Sequence, residues 1–382
     1  MFFSSSQGEL KLIIDVQSSI VRGSLVHVRA DAIPTVLYTH NVSVPYMPQG
    51  GSSYLIKIAL RGVEEIIQAV RANIQSGANS EELPRHVSSV HYVLSSPWVV
   101  SQAKTISTTF KTDTAISRAY ITGMIWEERT KMTLNAADDT RVIEEKVFDV
   151  QLNGYSVSSW ESKHTKELGI SFVVSIAGGR MIDRFISACE GIVHHKDHIQ
   201  FHSSLFLQHV GIQKIVPDPS NYALVHIHGE LTDVAIIHAH SCSFFGSYPF
   251  GIQHIVRTIA KRTNTTEDAA ESTLNLITKK DIDATKAKKE FAAIEEMKQG
   301  WVGEFKKLLK TSPTPEAVPV RVIISARSHE DFFVKSFRSA YPQSAPEVLS
   351  IESIIPHVAY GAHAEQLRLT GLYVMAIHSL LK

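Results

Sequence analysis

The sequence predicts an α/β fold of two lobes carrying a small α+β insert, and three observations point there. The chain has 382 residues, more than one hydrophobic core ordinarily serves. Strand-like and helix-like periodicities alternate along it. Two hairpins with polar turns recur far apart in the chain, the first on Asp15, Ser18 and Ser19, the second on Thr232 and Asp233. Apolar residues at 44% and charged residues at 20% are those of a soluble globular chain. The balance of 38 Lys+Arg against 38 Asp+Glu argues against a nucleic-acid partner, whose binding draws on clustered cations. It also leaves self-association open.

Taken in order, Leu12 to Ile14 and Ile20 to Val26 are strands flanking the turn Asp15 to Ser19. Val63, Ile66, Ile67, Val70 and Ile74 fall at helical spacing and stop before Gly77. His91 to Ser96 is a buried strand ended by Pro97. The polar run 135–141 marks a boundary. Beyond it, residues 147–152 and 170–176 are strands, and Met181, Phe185, Ile186 and Cys189 line a helix over 180–190. A strand at 198–202 and a helix at 205–210 lead to the second hairpin, Tyr222 to Ile227 and Val234 to His238 around the turn 228–233. Gly251 starts a helix through Ile259, and Thr265-Thr266-Glu267-Asp268 can cap the next through a hydroxyl and a carboxylate three residues on. Phe291, Ile294, Met297, Trp301, Phe305 and Leu308 give a long helix one apolar stripe. Pro313 and Pro315 precede a strand at 320–325, and residues 367–381 form a closing helix, apolar around most of its circumference and therefore expected to be buried.

Met1 to Ser6 has neither a basic n-region nor an apolar h-region, and no run reaches the length of a membrane span. Cys189 and Cys242 are too few for a disulfide framework. A cytoplasmic protein, meeting the membrane only through partners, is the expectation. The histidine sets His226 with His228, His238 with His240, and His194, His195, His198 with His202 raise a metal reading, because residues at i and i+2 share a strand face. Partly exposed strand histidines are the other reading.

Two hairpins facing across a cleft, with a strand end near Ser325, can hold a triphosphate: turn amides and hydroxyls donate to phosphate while a strand-end carboxylate positions magnesium. Asp15-Val16-Gln17-Ser18-Ser19 resembles the first phosphate hairpin of the FtsA/PilM branch of the actin-like ATPase superfamily, and Val225 to Ala235 resembles the second. The helix after Gly251, the helix over 265–271, Leu152-Asn153-Gly154-Tyr155 in the insert and Leu369-Thr370-Gly371-Leu372-Tyr373 at the end extend the likeness over nearly the whole chain. The resemblance implies a two-lobed actin-like (ribonuclease H-like) ATPase fold with a first lobe at 1–140, an insert at 141–197 and a second lobe at 198–382. It implies ATP and Mg2+ as cofactors. Asp15, Ser18, Ser19, Gly229, Thr232, Asp233, Gly251, Ser325 and Ala326 would contact the nucleotide, and Asp15 the metal. It implies a place in type IV pilus assembly or cell division at the inner face of the membrane, with a pilus or division protein as partner through a short cytoplasmic peptide tail.

This chain departs from that pattern. Gln17, His228 and Glu230 stand where glycines admit the phosphates, His226 stands for a magnesium-positioning Asp, and Ser325-Ala326 replaces an adenosine-side Gly-Gly. A Glu230 carboxylate set about 4 Å from a phosphate would repel it by about 4 kcal/mol at an effective dielectric near 20. The expectation is a degenerate ATPase without catalytic residues, acting as a scaffold. The alternative is an active ATPase of the same fold, able to polymerise, with Asp15 and Asp233 working around magnesium. Turn carboxylates that bond neighbouring amides are the structural alternative for both aspartates.

Overall fold

The computed structural model describes residues 8–45, 51–77, 83–134, 139–239, 241–279, 287–312 and 318–380. β1 (Glu9–Val16) and β2 (Ile20–Val28) form the first hairpin and β3 (Thr35–Ser43) continues the antiparallel meander. α1 (Gly51–Gln75) covers it with Val63, Ile66, Ile67 and Val70, the stripe seen in the sequence, and β4 (Val87–Leu94) then pairs in parallel with β1. Next come β5 (Val100–Ala115), α2 (Arg118–Leu134), β6 (Thr140–Leu152), β7 (Tyr155–Ser156) and β8 (His164–Gly178), which build a separate four-stranded sheet ordered β5-β8-β6-β7. Asn153 and Gly154, both at positive φ, make the tight β6–β7 turn, as an Asn-Gly pair favours. α3 (Gly179–Ala188) and β9 (Ile199–Ser203) return to the first lobe, β9 pairing in parallel with β4.

α4 (Ser204–Ile215) leads into a second copy of the plan. β10 (Tyr222–Ile227), β11 (Thr232–His238) and β12 (Ser241–Tyr248) form an antiparallel meander, followed by α5 (Ile252–Thr263), α6 (Glu267–Lys279) and α7 (Lys288–Leu309). β13 (Arg321–Ala326) pairs in parallel with β10, and α8 (Glu330–Ala340) connects it to β14 (Ala345–Val348), which pairs in parallel with β13. β15 (Ala359–His363) adds to the far edge of the first sheet and α9 (Arg368–Leu380) closes the chain. The sheets read β15-β3-β2-β1-β4-β9 and β12-β11-β10-β13-β14. In each, the first strand of the meander is central, so the β1–β2 and β10–β11 turns hold equivalent positions in the two lobes.

The core falls into four clusters, one for the first lobe, one for the helical side of the second, one for the insert and one between the two sheets. The last contains Ile212 of α4 and Tyr373 and Ile377 of α9 against Ile13, Leu224 and Ile323. Every α9 residue from Thr370 to Ile377 is buried, as an all-round apolar helix requires. Among the described residues no helix is long and apolar enough to cross a membrane. In α7, Ile294, Met297, Trp301 and Phe305 are buried, and Thr266 Oγ1 accepts from Ala269 N at 3.3 Å to cap α6.

Sheet membership differs from the expected division at 140 and 197. The insert sheet already begins with β5 at Val100, whereas α3 buries Met181, Ile182 and Phe185 in the first lobe's core. β9 and β15, expected in the second lobe, complete the first sheet. The cause is that β5 carries no buried residue, so its Ser/Thr-rich pattern gives no apolar signal, and pairing with β8 alone makes it a strand. Pro313, Pro315 and His240, together with residues 1–7, 135–138 and 381–382, lie outside the described residues.

Candidate interlobe site

Each hairpin turn is fastened internally: Gln17 N donates to Ile20 O at 3.0 Å, and His228 N donates to Leu231 O at 3.1 Å. The turns also touch each other. Ser18 Oγ lies 2.9 Å from His228 Nδ1 and accepts from Glu230 N at 2.9 Å. Gly229 packs so closely on Ser19 that a Cβ there would lie 2.1 Å from the serine Cβ. The space through which a triphosphate would pass between the hairpins is therefore filled by protein in this structure.

Behind the contact lies a chain of polar side chains. His228 Nε2 stands 3.3 Å from Asp233 Oδ2, which also accepts from Ser96 N of the first lobe at 3.1 Å. Ser18, His228 and Asp233 thus follow the order of a Ser-His-Asp relay, yet all three are buried and the serine oxygen is already accepting Glu230 N. Geometry makes it an interlobe latch, because no substrate atom can approach a hydroxyl enclosed by two turns.

Burial pushes Asp233 up, but His228, His226 and the Ser96 amide outweigh it and hold the carboxyl below the usual range. Asp15 moves the other way. Burial raises it to about 6, only partly offset by Arg22 at 3.4 Å and by Gln17 Nε2, which donates at 2.8 Å. Asp15 Oδ1 and Asp233 Oδ1 are buried without partners. His226 is lowered to about 3, by burial first and then by His228, and its Nδ1 lies 3.2 Å from Ser325 O.

The nine residues expected to contact a nucleotide converge here, but several are engaged otherwise. Thr232 is turned into the second lobe, where its hydroxyl donates to Phe250 O at 2.7 Å and accepts from Trp301 Nε1 at 3.1 Å. Gly251 abuts the second hairpin: a Cβ on it would lie 2.3 Å from His228 O and 2.4 Å from Gly229 O. Those two carbonyls accept the first amides of α5, Ile252 N and Gln253 N, so a helix N-terminus that could cradle a phosphate is satisfied by the hairpin itself. Glu230 does not point into the cleft as expected. Arg257 of α5 holds it bidentately at 2.6 and 2.8 Å. Asp15 is bound to Gln17 and Arg22, and Ser325 offers its carbonyl to His226, with Ala326 next to it at the end of β13.

A magnesium nucleotide does not fit these residues: one strand-end carboxylate is neutralised by an arginine, the other is tied to a histidine, and an imidazole occupies the third position. Among the described residues no three His, Cys, Asp or Glu side chains converge as a metal site. His91 Nδ1 instead meets His202 Nε2 at 3.3 Å, His86 lies against His194, and His195 against His198. The sequence reading missed the roles of His228, Ser96 and Arg257. Their only sequence signal is that a histidine and a glutamate sit where the hairpin pattern wants glycine.

No family model matches the chain, and no curated protein matches it. Among solved structures it is similar to the PilM-PilN type IV pilus biogenesis complex, at 11% identity and a TM-score of 0.64, covering 97% of this chain and 97% of that one. A weaker likeness, at 10% identity and a TM-score of 0.47, is to the ethanolamine utilization protein EutJ from Carboxydothermus hydrogenoformans, covering 96% of this chain and 89% of that one. The first likeness, with the duplicated sheet plan, shows a two-lobed actin-like fold.

Proposed function

We propose that this actin-like chain is a cytoplasmic scaffold that binds a protein partner and has lost most or all of its affinity for ATP. The observation that carries the reading is the hairpin contact: Ser18 with His228 and Glu230, and Ser19 against Gly229, close the phosphate passage with groups whose hydrogen bonds are already made. A nucleotide would have to break that latch and expose Asp233 to a polyanion. The solved structure it is similar to is a type IV pilus biogenesis complex of PilM with PilN, which supports a protein partner; on our reading that partner is a pilus-assembly protein, or alternatively a cell-division protein.

A seat for such a partner is offered between the insert and the first lobe. An open groove of about 520 Å3 runs between residues 141–146 of β6 and residues 199–202 of β9, floored by Ile182 and Ile186. β9 is the last strand of its sheet, and along this stretch β6 pairs only with β8, so two strand edges border the groove and an extended peptide tail can add to one of them. Titration with Mg-ATP tests the first half, with no saturable binding expected below about 1 mM; micromolar binding with steady turnover would refute it. Co-expression with the cytoplasmic tails of membrane proteins encoded beside it tests the second, and a co-purifying tail should be lost on a charge reversal in the groove.

The alternative, an active ATPase, is favoured by one observation, the unpartnered Oδ1 atoms of Asp15 and Asp233. The same Mg-ATP titration separates the two.

A further inference from the structure

A cavity of about 130 Å3 that borders the interlobe site at Gln17, His226, Ser325 and Ala326 lies between the lobes, walled by α4, the ends of β13 and β14, and the start of α9. Its surface is largely aliphatic, with Leu224, Ile323 and Leu372 among the lining residues, but two buried polar atoms on that lining have no partner. Gln208 is fully buried and its amide donates to Ser204 Oγ at 3.0 Å, while its Oε1 receives nothing. His226 Nδ1 faces the Ser325 carbonyl, which can only accept, so Nδ1 carries the proton and Nε2 is left a bare acceptor. Depression of His226 to about 3 keeps that neutral tautomer through the physiological range. Both orphans on this lining are acceptors, and buried acceptors are ordinarily matched by donors.

The cations on the lining differ in availability. Arg22 is held by Asp15 and Asn41, and Arg368 by Glu330 and the Leu349 carbonyl. Arg327 is exposed and makes no hydrogen bond or ion pair among the described residues. Three arginines against the single carboxylate of Glu330 disfavour a cationic ligand. In size the cavity approaches one of about 150 Å3 known to hold benzene, which leaves room for roughly six non-hydrogen atoms.

We propose that this cavity binds a short aliphatic hydroxy acid. Its hydroxyl donates to one of the two orphan acceptors, its carbons lie against Leu224, Ile323 and Leu372, and its carboxylate meets Arg327 at the exposed end. The cavity shares Gln17, His226, Ser325 and Ala326 with the interlobe site, but Ser18, His228 and Asp233 of the latch and the groove beside the insert do not line it, so hydroxy-acid binding and loss of ATP affinity are tested separately.

Calorimetric titration of the full chain with 2-hydroxybutyrate, butyrate and 1,2-butanediol tests it. The hydroxy acid should bind at least about tenfold more tightly than either analogue, one of which lacks the donor and the other the charge. Arg327→Ala, at an exposed position, should bring its affinity down to that of the diol while the circular dichroism spectrum and melting temperature stay unchanged. Equal affinities for butyrate and 2-hydroxybutyrate overturn the proposal, as do an unchanged affinity in Arg327→Ala and an absence of binding up to about 50 mM. A crystal soaked in the hydroxy acid whose cavity holds water alone overturns it too.

Discussion

Replacing Gly229 with alanine should push the two lobes apart. The added methyl would lie 2.1 Å from both Cβ and Oγ of Ser19, where ordinary contacts begin well beyond 3 Å. Neither side gives way cheaply. Ser19 is anchored through its carbonyl to Val44 N at 2.8 Å, and Gly229 through its carbonyl to Gln253 N at 2.8 Å. Gly229 has no positive φ, so the cost is steric overlap rather than backbone strain, and overpacking of this kind costs about 1–3 kcal/mol. Ser19→Gly removes the two closest atoms and leaves Cα at 3.3 Å. The double substitution should therefore recover most of the loss, with a coupling of about 1–2 kcal/mol. Gly123 in α2 has nothing within 4 Å of a built Cβ, so Gly123→Ala should raise stability by up to about 1 kcal/mol and serves as the control. Urea unfolding of the four variants reads all of this. A Gly229→Ala protein as stable as the parent, or a double variant whose effects simply add, would mean that the hairpins do not touch in solution.

Acid should destabilise the protein. His226 falls from an ordinary 6.5 to about 3 on folding, so the unfolded chain protonates first, and stability present above about 6.5 is lost as pH drops toward about 3, by about 5 kcal/mol over the whole span. Asp15 opposes this. Raised from 3.8 to about 6, it is protonated first in the native chain, so its contribution grows as pH falls from about 6 to about 4, by about 3 kcal/mol. Between pH 7 and pH 4 the two nearly cancel, so His226→Asn, which keeps a donor toward Ser325 O, should leave the Asp15 term alone and make the variant gain about 3 kcal/mol relative to the parent on going from pH 7 to pH 4, read from denaturation midpoints; an unchanged pH difference counts against the assignment. Combining His228→Gly with Glu230→Gly should break the Ser18–His228–Asp233 relay while leaving the backbone contact of residue 230 with Ser18, and should create or improve Mg-ATP binding, seen by calorimetry, whereas weaker binding than the parent would indicate a working nucleotide site. Thr232→Val should cost about 1–3 kcal/mol in urea unfolding, because the buried Trp301 N–H loses its acceptor; a neutral result would place that indole elsewhere.

Much of the fold was legible because apolar periodicity reports burial. The α1 and α7 stripes, the closing helix and both hairpins show their period directly, and the duplicated turns pointed to the duplicated lobes. β5 and the edge strands β14 and β15 were not legible, since short or solvent-facing strands are defined by their neighbours rather than by their own side chains. The convergence of Asp15, Ser18, Ser19, Gly229, Thr232, Asp233 and Gly251 was inferred from likeness to a nucleotide-binding pattern. The direction in which each side chain points was not.

The amino-acid sequence alone determined that two lobes would each place a polar turn at the end of a buried strand, and that several glycine positions of those turns would carry larger residues. It did so because hydrophobic period and turn chemistry are local properties. Only the tertiary structure decided that Glu230 goes to Arg257, that Thr232 goes to Trp301, and that His228 joins Ser18 to Asp233 across the lobes. Those outcomes depend on which groups from distant segments arrive within hydrogen-bond distance once the sheets are packed, and local pattern carries no information about that distance.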